Sequence, residues 1–277
     1  ASEKKRWQII KDELLILKEK YGDERRTTIE RELKEFSLED IIAEEDVVVT
    51  MSHAGFIKRF PVSGYRRQGR GGKGVTGAGT REEDFIEHMF VASTHHYIMF
   101  FTDQGKCYWL KVHEIPEGGR ATKGRSILNL IEKNKEENLS AFVTVKEFTD
   151  DKYIVMATEQ GTIKKTVLSA YSNIRRGGIN AINLAAGDRL IEAKLSEGNN
   201  DIIIGTKDGM AIRFNEKDVR DMGRTATGVR GIRLAKKDVV IGMIVVRNAT
   251  TLMVVTEKGF GKRSEIEDYR LTKRGGK

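Results

Sequence analysis

The chain has 277 residues, with 49 Lys+Arg against 41 Asp+Glu and a net charge of +8. Hydrophobic residues make up 39%, enough for a packed core and too many for a disordered chain. A single cysteine, Cys107, excludes a disulfide framework and a Cys-built zinc site, and fits a reducing cytosol. No apolar run approaches the ~20 residues of a membrane span.

The charge is unevenly placed. Residues 1–45 hold 10 basic and 13 acidic side chains, so they carry −3 and the rest carries +11. A basic body behind a mildly acidic leader points to a polyanionic partner, nucleic acid or an anionic membrane face. Two prolines against 28 glycines predict turns built on positive φ rather than on proline.

The leader, residues 1–22, places Trp7, Ile10, Leu14, Leu17 and Tyr21 at alternating steps of three and four. That is one stripe of a coiled coil, read as the end of a longer helical hairpin with a surface helix packed on the body as the alternative, and Gly22 is its expected C-terminal stop. Residues 23–45 then form a charged connector.

From residue 46 to 277 the chain repeats. β-rich runs recur at Val47–Val49, Tyr97–Phe101, Tyr153–Val155, Ile202–Ile204 and Leu252–Val255. Each is followed by a turn glycine (Gly55, Gly105, Gly161, Gly209, Gly259), at steps of 50, 56, 48 and 50. Ten residues past each glycine stand Tyr65, Ile115, Tyr171, Val219 and Tyr269, expected to pack in the core. A unit of this length built from about four strands is the size of a propeller blade. Five blades are predicted, the fifth cut short, in an all-β body.

Four residues past each turn glycine the chain has Arg59, Trp109, Lys165, Arg213 and Arg263, basic in four units of five. One template position reaches the same place on every blade, so these predict a stripe of positive charge on one side. On that reading Arg213→Ala should lower the salt slope of DNA binding by about one unit. Glycine-rich basic segments add Arg66, Arg67, Arg70 and Lys73 in the first unit and Arg120, Lys123 and Arg125 in the second. Arg175 and Arg176 follow in the third unit, Arg224, Arg230 and Arg233 in the fourth, and Lys273 and Arg274 in the fifth. Their glycines are expected to let the backbone approach phosphate. Such a surface reads phosphates rather than base edges and binds duplex DNA with steep salt dependence.

The segment Gln68-Gly69-Arg70-Gly71-Gly72-Lys73-Gly74 resembles the glycine-rich basic box of the bacterial DNA gyrase A-subunit family. Tyr21–Thr27 and Glu45–Thr50 resemble that family's junction from coiled coil to C-terminal domain, and Thr227–Arg233 is similar to one of its later blades. The resemblance implies a β-pinwheel, whose blades exchange strands, that bends and wraps duplex DNA with positive handedness. It implies a holoenzyme of two A and two B subunits that supercoils DNA negatively, in the bacterial cytoplasm at the nucleoid, with no membrane. The ATP and Mg that the holoenzyme uses act elsewhere, so no cofactor is implied in this chain.

This sequence departs from the family's box at Gly69, where an Arg is usual. The family usually has six blades, so an artificial truncation inside the fifth repeat is expected. None of the tyrosines matches the family's cleavage motif, which implies no catalysis by this chain alone. The segment Gly119–Ser126 nearly spells a phosphate-binding loop, but Arg125 stands where the lysine belongs. The histidines show no metal-ligand spacing. Two rivals remain: the matching domain of topoisomerase IV, and a protein-binding propeller with a neutral face.

Overall fold

The computed structural model describes residues 2–24, 26–27, 41–65, 79, 84–119, 121–134, 136–173, 177–247 and 251–276. They fall into two compact units, Ala1–Ile41 and Ile42–Lys277. In the first, helix α1 spans Glu3–Tyr21. Its predicted seam is exposed along its length, from Trp7 to Tyr21. The expected stop at Gly22 is present as the residue that caps the helix. Its φ is −69°, extended rather than left-handed, and its N–H bonds the Lys18 carbonyl at 2.8 Å. Glycine fits there for size, because a Cβ would lie 2.3 Å from that same oxygen.

The second unit is β-structure joined by short 3-10 turns. Its strands in chain order are β1 (Asp46–Ser52), β2 (Phe56–Pro61), β3 (Ile86–Ser93), β4 (Tyr97–Thr102), β5 (Lys106–Lys111) and β6 (Arg125–Ser126). There follow β7 (Leu139–Val145), β8 (Tyr153–Thr158), β9 (Thr162–Val167), β10 (Ile179–Asn180), β11 (Leu190–Ser196) and β12 (Asp201–Thr206). The last are β13 (Ala211–Asn215), β14 (Val229–Arg230), β15 (Val240–Val246), β16 (Thr251–Val255) and β17 (Gly261–Glu265). Every predicted β-run lies in the first strand of a hairpin. All five predicted turn glycines have φ between +79° and +84°, a region closed to most L-residues.

The sheets run β3-β1-β2-β6, β10-β5-β4-β7, β11-β8-β9-β14, β13-β12-β15 and β16-β17. Strand β6 belongs to the second unit yet pairs with β2 of the first; β10 pairs back onto β5, and β14 onto β9. Each of these three units thus lends a two-residue strand to the unit before it. The strand exchange that the resemblance implied is present. At the opposite sheet edge β11 packs against both β7 and β15, and β3 meets β7 through Phe90 and Phe142.

The core lies between consecutive sheets. Ile98 and Phe100 of β4 pack back towards Val47 and Val49, whereas Met99 and Phe101 pack forward towards Ile154 and Met156. Val155 and Ala157 do the same against Ile202 and Ile204. Both faces of the middle sheets are covered, which is why the sequence shows continuous apolar runs rather than strict alternation. Ile115, Tyr171 and Val219 are buried, as their template position predicts, whereas Tyr65 and Tyr269 in the first and fifth units are only half-buried.

Candidate nucleic-acid interface

The cations four residues past the turn glycine do not form a free stripe. Arg59 donates from Nε to the Ile115 carbonyl at 2.8 Å, and its Nη1 lies 3.4 Å from Glu117. Lys165 is paired with Asp221 at 2.9 Å, 7% exposed, and donates to the Glu216 carbonyl at 3.5 Å. Arg213 pairs with Asp201 at 2.8 Å and donates to the Ile266 and Tyr269 carbonyls. Trp109, the exception by charge, does the same work through its indole N–H, which reaches the Tyr171 carbonyl at 3.1 Å.

All four therefore cross to the helical turn of the next unit. The backbone repeats this contact as parallel bridges, Arg59 to Glu117, Lys165 to Asp221 and Arg213 to Leu271. The expected DNA contacts at Arg59, Lys165 and Arg213 are thereby corrected. A buried cation needs acceptors, and the neighbouring unit supplies carbonyls and carboxylates for them. Arg263, at the same place in the fifth unit, is exposed.

One residue earlier the side chain points to the other face and props the next unit's loop. Lys58 is buried and donates to the Gly119 carbonyl at 2.9 Å. The ring of Tyr108 lies beneath Gly178, where a Cβ would stand 2.6 Å from it. Lys164 donates to the Arg224 carbonyl, and Ile212 lies under Gly276.

These supports carry the glycine-rich basic segments. Gly124 and Gly228 have φ of +82° and +105°, and a Cβ would lie 2.5 Å from the Ile57 carbonyl oxygen or 2.7 Å from that of Ile163. These glycines serve the close crossing of the lent strand over its neighbour. On the solvent side of the crossings, Lys123, Arg125, Arg230 and Arg233 are all exposed. None of these four has an ion pair with a carboxylate among the described residues. The near-phosphate-loop Gly119–Ser126 runs into β6 and a three-residue turn at Ile127–Asn129 instead of a long helix.

Arg224 and Arg274 are half-buried, and Arg274 donates to the Asp218 and Arg230 carbonyls at 2.8 and 3.1 Å. The template drawn from the sequence overlooks their shared position, although its signal is plain. Fifteen residues past the turn glycine every unit has arginine: Arg70, Arg120, Arg176, Arg224 and Arg274. The box Gln68–Gly74, with Arg66, Arg67, Arg175 and Arg176, lies outside the described residues. Counted this way, the box is the first member of a series present in all five units.

The family model of the DNA gyrase C-terminal domain, a beta-propeller, matches residues 46–93, 96–144, 152–196, 200–247 and 250–277. The chain belongs to this family. The DNA gyrase A protein of Clostridium acetobutylicum is 48% identical over 277 residues, covering 100% of this chain and 33% of that protein. The gyrase A protein of Halalkalibacterium halodurans is 51% identical over 232 residues, 84% of this chain and 28% of the relative. The chain thus spans about a third of the length of these gyrase A proteins.

Among solved structures, a DNA gyrase A C-terminal domain matches with a TM-score of 0.71 at 29% identity, covering 84% of this chain and 75% of that one. A topoisomerase IV C-terminal domain matches at 0.70 and 26%, covering 85% and 72%. The five matched segments coincide with the five hairpin units, so the family's repeat is the repeat seen in the sheets.

Proposed function

We propose that this gyrase-family domain binds duplex DNA without sequence preference, bends it across successive units and wraps it with positive handedness. The observation that supports this reading is the separation of its cations into two sets. Arg59, Lys165 and Arg213 are spent between units, whereas Lys123, Arg125, Arg230 and Arg233 stand exposed beside the lent strands, on the same segment of their units. A stiff polyanion has to curve to touch repeated sites, and bending 20–30 bp by 40–90° costs of order 1–6 kcal/mol, which several phosphate contacts offset.

In the whole protein, the wrap presents a second segment of the same DNA for ATP-driven strand passage, in a holoenzyme of two A and two B subunits. Cleavage, ATP and Mg belong to the other parts of that assembly. The box at Gln68–Gly74 contributes the first contact of the series, with Arg66 and Arg67 beside Gly69 restoring the charge its missing arginine would carry.

The test is topological. The chain is added to relaxed circular plasmid, nicks are closed with a type I enzyme, and the sign of the trapped writhe is read. Positive writhe supports chiral wrapping for supercoiling. Binding without a shift leaves simple DNA attachment, and no binding at all contradicts the reading in favour of a protein-binding propeller.

A further inference from the structure

Lys164, on β9, is fully buried and has no carboxylate within ion-pair distance among the described residues. Its amine donates to the Ala181 carbonyl at 2.5 Å and to the Arg224 carbonyl. The two acceptors belong to different units. Ala181 ends the glycine-rich basic segment of the third, and Arg224 lies within that of the fourth. An Asn183 N–H bond to the Ala226 carbonyl at 3.3 Å ties the same two segments. One buried amine therefore sits at the joint between two neighbouring cationic loops.

Two carbonyls match the two N–H bonds of a neutral amine, whereas an ammonium brings a third donor and a charge with no anion to meet it. Burial and the Arg224 guanidinium hold the amine's pKa down at about 7. Among the described residues, Cys107 on β5 and Tyr171 in the Leu168–Tyr171 turn feel the same Arg224 guanidinium. Burial pushes both upward, so both stay neutral near neutral pH. On β9 itself, Lys165 points to the other face and is paired with Asp221. Arg175 and Arg176, on the third unit's loop, lie outside the described residues.

We propose that Lys164 is a proton-linked positioning residue: it holds the two cationic loops in register and takes up a proton when duplex DNA lies across them. This rests on the DNA-binding reading above. Among the described residues the charge that acts on the amine is another cation, Arg224, which favours the bare amine. A polyanion laid over the loops reverses that field. A phosphate about 10 Å away at an effective dielectric near 20 raises the amine's proton affinity by on the order of tenfold. The proton comes from solvent onto the Nζ lone pair, and buffer supplies it. Linkage is reciprocal, so acid conditions strengthen DNA binding by the same factor.

The experiment uses the 277-residue chain and a mixed-sequence linear duplex. Calorimetric titration in two buffers of different ionisation enthalpy counts protons taken up, and carbon-13 NMR of lysine-labelled chain follows the amine directly. The expected results are net uptake per bound chain at neutral pH and affinity falling several-fold from about pH 6 to about pH 9. One lysine resonance titrates near neutrality, and its midpoint rises on adding duplex. Lys164→Met removes that resonance and the pH dependence.

If no lysine titrates below about pH 9, or the midpoint ignores DNA, the inference is overturned on the wild-type chain alone, whether or not the variant folds. Equal uptake by Lys164→Met overturns it too. Salt-sensitive binding without proton uptake sinks this inference and leaves the DNA reading standing; absence of binding removes both.

Discussion

Arg213 and Asp201 are joined across the β12–β13 hairpin at one carboxylate oxygen, which accepts a hydrogen bond from Nε at 2.9 Å and lies in ion-pair contact with Nη2 at 2.8 Å. Asn215 holds the other oxygen at 3.0 Å. So oriented, the guanidinium turns Nη1 to the Ile266 carbonyl at 2.8 Å in the fifth unit. The ion pair is a mounting for an arginine that clasps the next blade. Removing it leaves a carboxylate and two carbonyls short of a donor, which costs about 2–4 kcal/mol. Arg213→Ala is therefore expected to lower the melting temperature by about 5–10 °C with the salt slope of DNA binding unchanged. Thermal denaturation and a salt titration read the two effects separately. This reverses the sequence expectation that Arg213 makes a phosphate contact.

The same clasp in the second unit is uncharged. Trp109→Phe keeps most of the ring packing against Tyr97 and Phe148 but withdraws the N–H from the buried Tyr171 carbonyl. A loss of about 1–2 kcal/mol is expected in urea unfolding. No loss would mean that the tryptophan is held by packing alone.

Two turn glycines with nearly equal dihedrals separate backbone strain from crowding. Gly209 has φ +83° and nothing within 4 Å of the place a Cβ would take, whereas Gly105 has φ +79° and the Ile182 carbonyl oxygen 2.5 Å away. Gly209→Ala should cost about 1–2 kcal/mol for the left-handed backbone. Gly105→Ala should cost about 1–3 kcal/mol more, because the lent strand must retreat. Equal losses would show that the 179–182 segment gives way freely.

Lys164 also sets a pH dependence of stability. Its folded pKa, about 7, lies below the ordinary lysine value of 10.5, so between those values the unfolded chain binds more protons. Stability from this group therefore rises as pH climbs from about 7 towards 10.5, opposite in direction to a buried ion pair that loses its lysine charge. Urea midpoints across that range should climb in the wild type relative to Lys164→Met. Parallel curves would place the charge in water.

Much of the fold is legible in the sequence because it rests on local chemistry. Positive-φ glycines at Gly55, Gly105, Gly161, Gly209 and Gly259 mark each hairpin, and buried runs such as Tyr97–Phe101 mark its first strand. The partner of a strand side chain is not legible. Position on the template says which face Arg59 or Lys165 occupies, but Glu117 and Asp221 lie more than fifty residues further along the chain, in a turn whose docking only the fold reveals. The lent strands β6, β10 and β14 are two residues each, too short for any periodicity. The arginine at the fifteenth position stands in plain view. A template that follows only the fourth and tenth positions past the turn glycine passes over it.

The division of cations into clasps and contacts is tested most directly by the salt dependence of duplex binding. Lys123, Arg125, Arg230 and Arg233 are changed to alanine together, and the slope of log affinity against log salt is compared with that of the parent chain. At about 0.9 per phosphate contact the slope should become shallower by roughly 3–4 units, with the melting temperature unchanged. A variant that keeps the parent slope would show that these exposed side chains do not meet DNA.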